Sequence, residues 1–155
     1  MKLLFVIFLS ICLLSCNQTP FNSGDSTEPG VVIQTDQNVY SIVNEQLVIN
    51  VSFENMTEET LTVFRNGCGF PDLTIEKKIA EKWQESGGPV CIALAVPPSS
   101  LPGRTKFSSD IRLFADNIQA DDIAGVYRLK FYLNDSSGNR LPLESRLSNS
   151  FTIIK

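Results

Sequence analysis

Histidine is absent from all 155 residues, and its absence excludes more chemistry than any residue present supplies. Ser-His and Cys-His nucleophile pairs cannot be built without it, and hydrolytic metal centres that depend on imidazole ligands go too. Positive charge is scarce: 13 Lys and Arg stand against 17 Asp and Glu, a formal net charge of −4. That balance gives no electrostatic reason to bind nucleic acid. No glycine loop able to cradle a phosphate is present, since Gly87-Gly88-Pro89 lacks both the following helix and the lysine that such a loop needs. Long apolar runs are missing as well. Leu3 to Leu14, interrupted by Ser10, falls short of the roughly 20 residues of a bilayer span. What acid–base chemistry remains would fall to the neighbouring carboxylates Glu58-Glu59 and Asp121-Asp122. Adjacent side chains point to opposite sides of a strand or share a solvated turn, so these read as exposed turn charge, and no catalytic residue is expected.

The N-terminus is informative. Lys2 precedes the apolar run, and the small residue Ser15 precedes Cys16, which is the order of a secretory signal. An ordinary signal peptide cut elsewhere would fit that order too. Leu13-Leu14-Ser15-Cys16, however, resembles the lipobox of bacterial lipoproteins, in which a peptidase cuts before the cysteine and the thiol carries a diacylglycerol. The resemblance implies a signal peptide over residues 1–15, with Cys16 as the lipidated first residue of the mature chain. Each buried CH₂ contributes about 0.8 kcal/mol, so two or three acyl chains would make attachment to the membrane effectively permanent. Asn17 follows, whereas lipoproteins of this kind are retained at the inner membrane chiefly by Asp at that place. The outer membrane is therefore the expected address in an organism that has one.

Removing residues 1–15 leaves 140 residues with 12 basic against 17 acidic side chains, a formal charge of −5. That length suits one domain. Cys12 is discarded with the signal and Cys16 is taken by lipid, so Cys68 and Cys91 remain. An even pair in an oxidising compartment reads as a disulfide, with two buried free thiols as the alternative. Two cysteines cannot complete a zinc shell by themselves, and no metal or other cofactor is expected. Residues 16–30 are polar and rich in turn formers with one aromatic, Phe21, and read as a flexible tether.

From Val31 the pattern changes to short apolar stretches between turn residues. Leu47, Ile49, Val51 and Phe53 alternate with polar neighbours, as do Tyr127, Leu129, Phe131 and Leu133, the period of a strand with one face in a core. Phe107, Ile111 and Leu113 repeat the pattern with an interruption at Ser109. Shorter strands are expected at Val31 to Thr35, around Leu61 and Val63, around Leu73 and Ile75, over Cys91 to Val96, and around Phe151 and Ile153. About eight strands at turn-separated intervals point to an all-β antiparallel sandwich over residues 31–155. Residues 76–85 are ambiguous: Ile75, Ile79 and Trp83 have helical spacing, but a strand from Asp72 to Lys78, a turn and a short strand carrying Trp83 suit a meander better.

Gly125-Val126-Tyr127-Arg128-Leu129, preceded by Asp121-Asp122, resembles the tyrosine corner of immunoglobulin-like sandwiches. Taken with Val51 to Asn55 and Ser148 to Ile153, it makes residues 31–155 similar to the immunoglobulin-like domain of bacterial lipoproteins and of the intracellular proteinase inhibitor family. The sequence departs from antibody domains in having Val51 and Leu129 roughly where the inter-sheet cysteines would stand.

The most distinctive loop is Val96 to Gly103, with Pro97, Pro98, Leu101 and Pro102 as candidate partner-binding residues. Its prolines favour an extended conformation that loses little entropy when gripped. The plainer reading makes it the turn before a strand from Thr105 to Phe114. Asn17, Asn50, Asn55 and Asn134 each open an Asn-X-Ser/Thr sequon, which a bacterial lipoprotein would not use. The expectation is a non-catalytic envelope lipoprotein, bound to the membrane through Cys16, whose sandwich is a structural module or engages another protein or envelope component. The alternative is a protease inhibitor presenting residues 96–103 or the 68–91 segment.

Overall fold

The computed structural model describes residues 30–91 and 96–155. The expected signal peptide, Cys16 and the expected tether up to residue 29 lie outside the described residues. Among the described residues eleven strands form, in order β1 (Val31–Thr35), β2 (Val39–Ser41), β3 (Gln46–Asn55), β4 (Leu61–Val63), β5 (Leu73–Ile79), β6 (Lys82–Glu85), β7 (Ser99–Leu101), β8 (Lys106–Phe114), β9 (Gly125–Phe131), β10 (Leu133–Asn134) and β11 (Phe151–Ile154). Single turns of 3₁₀ helix cover Ala115–Asn117 and Glu144–Arg146.

Alternation decides the faces. Leu47, Ile49, Val51 and Phe53 of β3 are fully buried, as are Tyr127, Leu129 and Phe131 of β9, while the residues between them face outward. Strands β1-β3-β8 make one sheet and β2-β11-β9-β5-β6 the other. The two pack face to face: Phe53 stacks on Phe107 within its own sheet at 4.7 Å and meets Phe131 of the opposite sheet edge-on at 4.8 Å. Val51 and Leu129 are both 0% exposed. Apolar burial, worth roughly 1.5–3 kcal/mol for each such side chain, fills the positions that antibody domains give to cystine. Ser109 interrupts the pattern without breaking the register, since it sits opposite Val51 in the continuous β3–β8 pairing.

Tyr127 donates its hydroxyl to the Ile123 carbonyl at 2.7 Å, which closes a tyrosine corner. The two facing sheets and this corner make an immunoglobulin-like β-sandwich. Burial, and then the nearby Asp122 charge, push the Tyr127 pKa up to about 12.

Three expectations need correction. Pairing is antiparallel throughout the two main sheets except between β2 and β11, which run parallel. The run from Tyr127 to Leu133 is not one strand: β9 stops at Phe131, and β10 leaves the five-stranded sheet to join β4 and β7 in a small sheet at one end of the sandwich. Cys91 and Val96 are not in strands, and the four residues between them lie outside the described residues. The ambiguous stretch forms the β5–β6 hairpin, with Ile79 opposite Lys82 and Ala80 in the turn at φ +53°. Ile75 enters the core whereas Ile79 is half exposed, so helical spacing does not give them a common environment.

Candidate functional site

The Pro-rich segment is only partly a turn. Ser99, Ser100 and Leu101 pair with Val63, Thr62 and Leu61 of β4. Leu101 is 2% exposed and belongs to the core, so it is not available to a partner. Pro97, Pro98 and Pro102 are exposed. A short stretch with two serines and one leucine carries no strand signal of its own; pairing to β4 creates the strand.

Asn55, the last residue of β3, holds this segment in place. At 1% exposure it donates Nδ2 to the carbonyls of Glu59 (2.7 Å), Pro102 (3.1 Å) and Leu101 (3.2 Å), while its Oδ1 accepts the Thr57 amide and hydroxyl. A buried amide with its groups so engaged is structural, whatever its sequon suggests. Gly103 completes the join, because a Cβ there would lie 2.3 Å from the Glu58 carbonyl oxygen.

Between β7 and β8 runs an open groove of about 430 Å³. Val63, Leu101 and Phe107 give it apolar surface, and Ser99, Ser100 and Ser108 give it hydroxyls. Both walls are sheet edges: β7 is the outer strand of the small sheet, and among the described residues β8 pairs with β3 alone. The charged residues lining the groove are Arg65 and Lys106. Arg65 is aimed by its own loop, since Nε donates to the Gly69 carbonyl at 2.9 Å and a terminal nitrogen donates to the same oxygen. Lys106 lies 3.8 Å from Glu54.

The Cys68–Cys91 disulfide forms, with Cα atoms 5.4 Å apart. It ties the β4–β5 loop, which carries Arg65, to the chain that leads toward β7. The acidic pairs do not come together as a site. Glu58 pairs with Arg104 at 3.0 Å, Glu59 accepts the Ser136 hydroxyl, and Asp122 pairs with Lys155 at 2.9 Å. All four carboxylates are exposed turn charge. Among the described residues no three His, Cys, Asp or Glu side chains converge where a metal ion could sit. Sequence reasoning named the prolines and missed Arg65, Lys106 and the serines. The Ser99-Ser100 and Ser108-Ser109 doublets were the available signal, but only pairing shows that they line two walls of one groove.

No protein-family model matches the chain, and no curated protein matches it. Among solved structures, it is similar to the CARDB domain of a Pyrococcus furiosus protein in complex with di-metal ions, at 12% identity and a TM-score of 0.38, over 81% of this chain and 89% of that one. The alkylpurine DNA glycosylase AlkC of Pseudomonas fluorescens, bound to DNA containing an abasic site analog, matches at 13% identity and a TM-score of 0.41, over 81% of this chain and 31% of that one. A β-glucosidase from Kluyveromyces marxianus in complex with glucose matches at 12% identity and a TM-score of 0.37, over 81% of this chain and 14% of that one. Metal, DNA and glucose belong to those proteins. Likenesses this loose carry no argument about what this chain binds.

Proposed function

We propose that the chain is a lipid-anchored protein of the bacterial cell envelope whose sandwich is a non-catalytic interaction module, and that the groove between β7 and β8 holds an extended segment of another envelope component. Export is supported by the Leu13 to Cys16 sequence and by a disulfide that belongs to an oxidising compartment. The polar residues 17–29 would lift the domain off the lipid surface.

The observation that carries the binding reading is that two open strand edges flank one groove. An extended peptide laid along β8 gains main-chain hydrogen bonds from an edge that is otherwise solvated, and alternate side chains turn toward Phe107 and the groove's serines. Arg65 and Lys106 favour acidic side chains in that peptide. The inhibitor reading gains no support from Leu101, which is buried and strand-paired rather than presented.

Two measurements test the proposal in cells making the full chain. Labelled palmitate should enter the wild type and not the Cys16→Ser variant, and incorporation persisting in the variant removes the lipid anchor from the reading. Photo-crosslinkers at Ser100 and Ser108, on opposite walls of the groove, should trap the same component, with none trapped from Val126 on the other sheet. Products that differ between the two walls, or none, would sink the groove as the binding site.

A further inference from the structure

The two ends of the sandwich differ in kind. Gly30, where the tether joins, lies beside the end of β3, its carbonyl accepting the Met56 amide. At the other end of β3, about 30 Å away at 3.4 Å per residue, the chain turns at Asn44 and Glu45. Around this turn Val39, Val43, Val48 and Phe114 are 50%, 63%, 46% and 50% exposed.

Register makes three of them neighbours. Val43 pairs with Gln46 and Gln46 with Phe114, while Val48 shares that face one step along β3 and lies diagonal to Phe114. Val39, Val43 and Val48 also line an open cleft of about 490 Å³ between β2 and β3. Exposed apolar side chains are ordinary when scattered, and a contiguous group rimmed by polar residues marks an interaction site. The rim is acidic: Asp36, Glu45, Asp110 and Asp116 are all exposed, and Arg112 is the one cation of β2, β3 and β8 at this end. Glu45 sits at φ +63° in a two-residue hairpin turn where glycine is favoured, so a carboxylate is kept at the rim at a conformational cost.

We propose that this pole is a docking surface for a protein segment whose apolar side chains are flanked by lysine or arginine. Charge complementarity decides the occupant. The chain's own residues 17–29 have one large apolar side chain, Phe21, no basic residue, and acidic Asp25 and Glu28, so the tether has the wrong chemistry. A second copy would bring the same acidic rim against this one. The inference is independent of the β7–β8 groove; only the lipidated form used in its test rests on the lipid-anchored reading.

The test uses the full-length lipidated protein in phosphatidylcholine nanodiscs, with empty nanodiscs as the blank, and a fluorescent octapeptide with two lysines at each end around Leu-Phe-Val-Leu. Fluorescence anisotropy should show saturable binding, weakened about tenfold by Val43→Ser with Phe114→Ser and weakened again by Glu45→Gln with Asp116→Asn. Leu143→Ser, two residues from the Ser145 that adjoins Gly30 at the opposite end of the sandwich, should leave it unchanged. All these side chains are exposed, and thermal melts confirm that each variant folds. Equal binding of the counterpart with glutamate ends, or unchanged binding by the serine variant, overturns the proposal. So would concentration-dependent self-association in sedimentation that the serine variant abolishes, because a second copy would then be the occupant.

Discussion

Glu76 organises the outer face of the five-stranded sheet. Its residue is 7% exposed, its Oε2 accepts from Arg128 Nε and from a terminal Arg128 nitrogen at 2.7 Å, and its Oε1 accepts from Lys130 at 2.8 Å. Arg128 in turn lies 4.3 Å from the ring centre of Trp83, the single tryptophan. Burial by itself raises the carboxyl pKa, but hydrogen bonds from Lys130 and Arg128, with the attraction of both cations, outweigh it and hold the group below its ordinary value. A depressed carboxyl stabilises the fold above the unfolded pKa of about 4.3, and that contribution is lost as pH falls through the folded pKa. Glu76→Gln should therefore cost about 3 kcal/mol at pH 7 and distinctly less in acid, read from urea midpoints across that range. An equal cost at both pH values would mean that the carboxylate charge contributes nothing. None of this was legible in the sequence, where Glu76 was only the first residue of an ambiguous stretch. Its burial follows from pairing opposite Arg128, a contact between residues 52 positions apart.

At the scale of elements, the long strands were legible because alternation is a local signal and their apolar faces meet a core. Of the short ones, β4 and β11 were expected, but β2 and β7 were not, and β10 was expected only as the end of β9. β2, β7 and β10 are two or three residues long, and a neighbouring strand, rather than their own composition, makes them extended. The β5–β6 hairpin was correctly preferred over a helix because β5 must pair with β9 on its other side. The disulfide is a tie between elements, and the chain it spans holds the β5–β6 hairpin. Replacing both Cys68 and Cys91 by alanine should cost about 3 kcal/mol, the loop-closure value for a loop of this length, and leave the β-sheet circular dichroism in place. Two reactive thiols in the denatured, unreduced wild type would contradict the bridge itself.

For the whole molecule, strand count and the tyrosine corner were enough to reach an immunoglobulin-like sandwich, whereas the candidate surfaces were not foreseeable. Which strand becomes an edge depends on partners far away in sequence, so neither the β7–β8 groove nor the apolar pole could be found by scanning windows. The same non-local pairing predicts what truncation does. β11 supplies Phe151 and Ile153 to the core and is the sheet partner of β2. Removing residues 151–155 should abolish the cooperative thermal transition rather than shift it, and a truncated chain that melts as sharply as the full one would refute the dependence.

The placement of β11 also sets a schedule. One of its neighbours, β2, is among the earliest strands of the domain, and Asn149, just before it, hydrogen-bonds back to Thr35. The sandwich therefore cannot shut until β11 has arrived, however long the earlier strands have been waiting. For the exported protein proposed above, that delay would be useful: the chain would stay threadable through a narrow channel until β11 has crossed, and would close on the far side, where Cys68 and Cys91 can oxidise.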